Sequence, residues 1–185
     1  MKRTIPVTFG AVILALALVG STRAETLPPG QVDFGKFAPP GSGGQFVEIN
    51  VSDTLITLVS HFVEKDQPDV AQLLNKLQLV RVTVIGLDDE NKSELRERTA
   101  KVGKDLESKG WERIVTARKD DKDVGIYLKT KNKDTVLGLA VMVMDGDKQA
   151  VFVNVVGDIK PDQLALLGDK LHIDPLKNIG RATEK

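Results

Sequence analysis

The sequence predicts an α+β fold in which helices pack on a mixed, mostly antiparallel sheet of about six strands. Four strand-like segments follow residue 110, and short turn-forming runs of Asp, Gly and Lys join them in pairs, as in hairpins. Apolar residues at helical spacing separate the earlier strands. One strand–helix–strand unit, from Leu79 to Lys119, predicts a parallel right-handed crossover. The predicted order is therefore β-αα-β-α-β-β-β-β-α.

The domain begins at Gln45, and residues 45–51 alternate in polarity as a half-buried strand does. Ser52-Asp53 then marks the start of a helix. Its apolar residues predict a wide stripe facing the core: Leu55, Ile56, Leu58, Val59, Phe62 and Val63. Pro68 and Asp69 mark the start of a second helix, which forms a hairpin with the first and has the apolar residues Val70, Leu73, Leu74 and Leu77.

A second strand is predicted from Leu79 to Leu87, followed by a helix from about Ser93 to Lys109 that Gly110 ends. The apolar stripe of this helix is thin, and opposite charges four residues apart cover the rest of it. We therefore expect it to lie on the outside of the fold with one narrow face buried.

The four remaining strands are predicted at residues 111–119, 124–131, 136–144 and 150–156. The last two are apolar on both faces, so both faces need cover. We expect helices on one side, and the helical hairpin, the N-terminal lead or a second protomer on the other. A final helix runs from Pro161 to about Leu171, and residues 175–185 form a tail.

Residues 1–24 have the pattern of a secretory signal: a basic start, an uncharged run of about fifteen residues, and a small residue at Ala24 before Glu25. This run is shorter than the roughly 20 residues that span a bilayer. The chain has no cysteine, hence no disulfide and no lipid attachment site after the signal. We therefore expect a soluble periplasmic protein, without a membrane anchor once the signal is cleaved between Ala24 and Glu25.

Residues 25–44 form a lead rich in Pro and Gly. Its apolar side chains, Val32, Phe34 and Phe37, either pin the lead onto the domain or form a short exposed docking segment. The sequence leaves both interpretations open.

Composition argues against several classes of partner. Residues 1–24 carry Lys2, Arg3 and Arg23 and no acid, which leaves 23 basic against 26 acidic residues in the rest. Such a balance gives no electrostatic reason to bind nucleic acid or anionic lipid. Aromatic residues are few, which argues against a carbohydrate-binding platform.

No motif of catalysis is found. His61 and His172 are the only histidines, and neither has a second ligand at metal-binding spacing. The acidic runs at residues 88–90, 120–123 and 145–147 coincide with turns or a helix start and lack the calcium-loop pattern. We therefore expect no metal, no cofactor and no enzymatic activity, with an unfamiliar acid/base pair as the remaining enzyme alternative.

Four side chains are candidates for binding: Asn154, Tyr127, Lys129 and Arg118. Asn154 interrupts an apolar strand, and a buried amide needs partners, from a neighbouring element or from a ligand. Tyr127 and Lys129 share one face of their strand, as Thr116 and Arg118 do on the preceding strand. If these two sets share a solvated face, they form a polar binding surface; otherwise they form a plain exposed face.

Several segments resemble a family of exported bacterial proteins catalogued as domain of unknown function 4252. They are the run Gly110–Val115, the strand end Met142–Asp145, and Ala150–Ile159 followed by Pro161–Leu164. The resemblance covers about Val47 to Leu171. It implies a signal-bearing or lipid-anchored envelope protein of Gram-negative bacteria, with no established activity and no catalytic residues to transfer. This chain differs from the lipid-anchored members because no cysteine follows its signal.

The sequence therefore favours a soluble exported protein that acts as a non-catalytic protein-interaction or signalling module, with an envelope protein or a second copy as partner. The alternative is a periplasmic protein that binds a small molecule on its sheet face.

Overall fold

A computed structural model of the chain describes residues 27–41 and 43–170. Its ten elements follow the predicted order: β1 (Phe46–Ser52), α1 (Asp53–Val63), α2 (Pro68–Leu74), β2 (Leu77–Gly86), α3 (Lys92–Ser108), β3 (Glu112–Lys119), β4 (Lys122–Asn132), β5 (Thr135–Asp145), β6 (Gln149–Ile159) and α4 (Pro161–Lys170). The α+β class and the element order are confirmed. Leu77 begins β2 and does not extend the second helix, because α2 ends at Leu74.

The six strands form one open sheet in the order β1-β2-β6-β5-β4-β3, and every neighbouring pair is antiparallel. In this order β2 and β3 run in the same direction, as expected for a crossover. They are not neighbours, however, because α3 carries the chain from one side of the sheet to the other edge. The described sheet is therefore antiparallel throughout and not mixed.

Each face of the sheet has its own core. On one, which we call the hairpin face, buried Ile56 of α1, Leu73 of α2 and Leu164 of α4 pack on the strands. On the other, the lead face, the thin stripe of α3 packs beside the N-terminal lead; its buried residues are Leu95, Val102 and Leu106. Strands β5 and β6 are buried on both faces, as predicted, and elements of the same chain provide the cover.

The lead is pinned to the sheet. Val32 and Phe34 are buried, and the rings of Phe34 and Phe37 lie 5.4 and 4.7 Å from that of Phe152. The pinning interpretation of these apolar residues is therefore confirmed. The approach is close at Gly138, where a Cβ atom would lie 2.5 Å from the Gly30 Cα.

Some predictions lie outside the described residues. These are the signal with its cleavage site at Ala24 and Glu25, the histidine at 172, and the tail. Within the described residues, no helix is both long enough and apolar enough to cross a membrane.

Candidate functional site

The outer side of α1 carries an unusual apolar stripe. Its four members are 46–75% exposed: Leu55, Leu58, Val59 and Phe62. The prediction that these side chains face the core is wrong. At 100° per residue they form one side of the helix, whereas Ile56 and Ser60 form the buried side. The predicted wide stripe consists of two adjacent faces of α1, and within the described residues only the face with Ile56 and Ser60 is buried.

Ser60 explains which side of α1 faces inward. Its hydroxyl is buried and lies 2.7 Å from the side-chain oxygen of Asn75, just after α2. This polar contact orients α1 against α2 and leaves the apolar stripe outside. Ser52 occupies the N-cap position as predicted, but its side chain makes no capping hydrogen bond.

A row of valines continues the apolar character onto the sheet. On the hairpin face the register aligns five of them across five strands: Val47, Val84, Val151, Val143 and Val124. None reaches full burial, and Val47 and the neighbouring Ile49 are 37% and 45% exposed. The described helices cover the other end of this face.

The buried side of α1 packs on the sheet face that carries Val51 and Ile49, because Ile56 and Val51 belong to one cluster and Ile49 shares a strand face with Val51. The stripe on the outer side of α1 and the exposed side chains of β1 therefore both lie on the hairpin-face side of the molecule. We call the stripe, Val47 and Ile49 together the apolar surface. Exposed apolar patches of several hundred Å² on a soluble domain commonly mark binding sites. No charged group belongs to this surface, so it is suited to burial against a partner and not to acid–base chemistry.

The two edges of the sheet differ in charge. Edge strand β3 carries four charged residues in eight, at Glu112, Arg113, Arg118 and Lys119, whereas edge strand β1 carries one in seven, Glu48. Charged side chains on an edge discourage pairing with another chain. Strand β1 lacks this protection.

A cavity of about 310 Å³ lies on the lead face between α3 and the β3–β4 hairpin. Tyr127 and Met142 form part of its wall, and Arg118 and Asp123 border it with a side-chain contact of 3.2 Å. Tyr127 and Arg118 therefore do share a face, but α3 covers that face around Tyr127, which is 2% exposed. The expected solvated polar face is wrong there for this reason.

Neighbouring groups fit closely around Tyr127. The Arg113 guanidinium lies 4.9 Å from the ring centre, and Glu107 holds that guanidinium at 2.9 Å. At Gly103 of α3, a Cβ atom would lie 2.6 Å from the tyrosine hydroxyl oxygen. Burial raises the pKa of Tyr127 above 10.0, although Arg113 opposes this shift. The phenol is therefore neutral at neutral pH and available as a hydrogen-bond donor.

The other two binding candidates have partners within the chain. The Asn154 amide donates to the carbonyl oxygens of Gly30 and Leu139, at 3.0 and 3.1 Å, and its oxygen accepts from the Val32 N–H at 2.9 Å. Lys129 donates to the carbonyl oxygen of Lys109 at 2.6 Å, at the end of α3. Asn154 thus ties the lead to the sheet, and Lys129 binds the C-terminus of a helix.

His61 is exposed, with its Nδ1 atom 3.9 Å from a Glu64 oxygen. Among residues 27–41 and 43–170, no three His, Asp or Glu side chains come together as a metal site would need. In the sequence, the apolar surface is best identified by the i, i+3, i+4, i+7 spacing from Leu55 to Phe62. A helix that faces the core of its own chain and a helix that binds a partner show this same spacing.

Comparison with known proteins gives one match. The family model described as domain of unknown function (DUF4252) matches residues 43–167, which include β1 and most of α4. No curated protein and no solved structure matches the chain.

Proposed function

The chain belongs to the DUF4252 family, and from that premise we propose that it is an exported protein of the bacterial envelope that works in the periplasm as a non-catalytic protein-interaction or signalling module. The apolar surface carries this proposal. The signal-like pattern of residues 1–24 supports the location.

The stripe of α1 has the chemistry of a docking helix. Anchors at i, i+3, i+4 and i+7 are those that a helix presents to an apolar groove or to another helix. Phe62, at 75% exposure, has the most to gain from a partner. Complete burial of a Leu, Val or Phe side chain is worth about 1.5–3 kcal/mol, so even partial burial of this stripe supports a specific contact.

Site-specific photo-crosslinking tests the interaction. A photoreactive residue replaces Phe62 in the exported protein, and crosslinked products are identified by mass spectrometry. We expect a defined product that disappears when Leu58→Asp is added and persists with the control Thr57→Asp. Thr57 is also exposed on α1 but lies outside the stripe.

The stability of each variant is measured in parallel. Because the altered side chains are exposed, Leu58→Asp and Thr57→Asp should unfold at similar urea concentrations. A protein that stays monomeric at micromolar concentration and gives no crosslinked product from position 62 would overturn the proposed function.

The cavity beside Tyr127 favours a second candidate function, the binding of a small molecule. Its volume lies at the lower end of the range for ligand sites. A ligand at 100 times its dissociation constant adds about 2.7 kcal/mol to stability, which thermal-shift screening of metabolites detects. Arg118→Gln should reduce the shift while Lys131→Gln, on an exposed position away from the cavity, should not; absence of any hit would remove this candidate.

A further inference from the structure

Among the residues that the structure describes, none pairs with the outer backbone edge of β1. The Gly86 N–H donates to the Gln45 carbonyl oxygen at 2.7 Å, so residue 45 directs its polar groups toward β2. Alternation along an antiparallel ladder then directs those of Val47, Ile49 and Val51 the same way. The N–H and C=O groups of the even-numbered residues, 46 to 52, point away from the sheet.

We propose that β1 pairs antiparallel with β1 of a second copy about a two-fold axis at Ile49, which joins two six-stranded sheets into one. This inference rests on the proposed function, because it names a second copy of the chain as the partner of the apolar surface. A two-fold axis makes such an interface self-complementary, so the sequence of β1 must match its own reverse.

The register follows from hydrogen bonding and charge. Outward-pointing residues must face each other, which restricts the centre of symmetry to a residue and excludes the positions between residues. Centring on Glu48 sets that carboxylate against its own copy, which is destabilising. Centring on Asn50 leaves Phe46 and Val47 without partners. Centring on Ile49 pairs all seven residues of the strand.

In the Ile49-centred register, opposite residues are complementary. Glu48 faces Asn50 of the second copy, so a carboxylate meets an amide donor and no like charges meet. On the hairpin face, Val47 faces Val51 of the second copy and Ile49 faces itself, which extends the apolar row across the junction. The same face carries α1, so both copies place their stripes on one side of the joined sheet.

The available apolar area suits a dimer. Standard interfaces bury about 800 Å² per partner. The six large side chains of the apolar surface are each 37–75% exposed, so each one that the second copy covers adds apolar area to the interface. The backbone hydrogen bonds of the new strand pair add directional contacts that a patch alone lacks.

A charge substitution at Asn50 tests the register in solution. Asn50→Lys places a cation opposite Glu48 twice per dimer, and Asn50→Glu places a second carboxylate there. Sedimentation equilibrium should show a dissociation constant roughly 2- to 30-fold lower for the lysine variant and higher by a similar factor for the glutamate variant. The matched controls are Thr116→Lys and Thr116→Glu, at an exposed position on β3. These two substitutions should not shift the dissociation constant in opposite directions.

Single cysteines test the axis itself, since the chain has none of its own. Residues directly opposite in a non-hydrogen-bonded pair have Cα atoms about 4.5 Å apart, within disulfide reach. Ile49→Cys should therefore form a disulfide dimer on oxidation. Val47→Cys is the matched control, because four residues of register place it about 13 Å from its own copy.

The outcomes separate the two proposals. Dimers of Ile49→Cys but not of Val47→Cys, together with opposite responses at Asn50, support the strand pair. A protein monomeric to several hundred micromolar overturns it, as does equal crosslinking at both positions. If the crosslinker at position 62 then captures a different protein, the interaction function stands and only self-pairing fails. An intramolecular product shows that another segment of the same chain covers the apolar surface, and this outcome also overturns self-pairing.

Discussion

Replacing Asn154 by alanine should loosen the N-terminal lead from the sheet. Asn154 is fully buried and makes three hydrogen bonds of 2.9–3.1 Å, two of them to Val32 and Gly30 of the lead. Alanine removes both the donor and the acceptor. The Val32 N–H and the Gly30 carbonyl then stay buried without these partners unless the lead moves.

The expected loss follows from those two groups. A buried donor or acceptor without a partner costs about 1–3 kcal/mol, so two cost roughly 2–6 kcal/mol. If the lead detaches, water satisfies both groups, but buried Val32 and Phe34 become exposed. The free energy that docks the lead therefore sets the upper limit, and we expect a loss of about 3 kcal/mol in the free energy of unfolding.

Trypsin reports detachment directly, because Lys36 is the single Lys or Arg in the lead. A loss of about 3 kcal/mol raises the open population roughly 100-fold, and cleavage after Lys36 should accelerate by a similar factor. Urea unfolding gives the total loss, with Gln72→Ala, at an exposed position of α2, as control. The hydrogen bonds do not hold the lead if the free energy of unfolding of Asn154→Ala is within about 1 kcal/mol of the parent value and Lys36 is cleaved at the parental rate.

Further predictions concern α3 and its neighbours. Burial raises the pKa of Tyr127 above 10.0, so the unfolded chain loses this proton first as pH rises. The contribution of Tyr127 to stability is therefore complete below pH 10 and is lost above it. Tyr127→Phe should flatten that part of the plot of unfolding free energy in urea against pH. Absorbance of this single tyrosine should titrate above pH 10 in the folded protein. Gly103→Ala should destabilise by about 1–3 kcal/mol despite better helix propensity, and Tyr127→Phe should restore much of the loss, because the blocking atom is the hydroxyl oxygen. Lys129→Met should lower stability in urea by about 1 kcal/mol, since the carbonyl oxygens of Lys109 and Gly110 lose a charged donor; no change would show that water replaces it.

Local patterns in the sequence account for most of the elements. The Asp145-Gly146 turn and the runs apolar on both faces identify β5 and β6 and their burial, because hairpin geometry and two-sided packing leave direct traces in the sequence. The position of β3 leaves no such trace. Crossover handedness says that β2 and β3 run the same way, but not how many strands lie between them.

The candidate sites were harder to foresee for two physical reasons. The fit of Tyr127 against Gly103 depends on residues 24 positions apart on different elements, and the only local sign is a glycine inside a helix. The exposure of the α1 stripe could not be predicted for a different reason. The periodicity of apolar residues indicates which side chains avoid water, but it does not indicate what covers them. The serine at position 60, which lies among apolar residues, is the local sign that the buried side of α1 is not the apolar stripe.

The contrast between the two sheet edges connects these observations. If the sheet only had to avoid pairing with other chains, both edge strands would carry several charged side chains, as β3 does. Strand β1 instead carries Val47, Ile49 and Val51 on one face, and its single acid lies opposite an amide when the strand is paired with its own reverse. The helix that follows β1 leaves its apolar stripe uncovered by the described residues. The unguarded edge and the unburied stripe that directly follows it are the two observations on which the proposed contact with another chain rests.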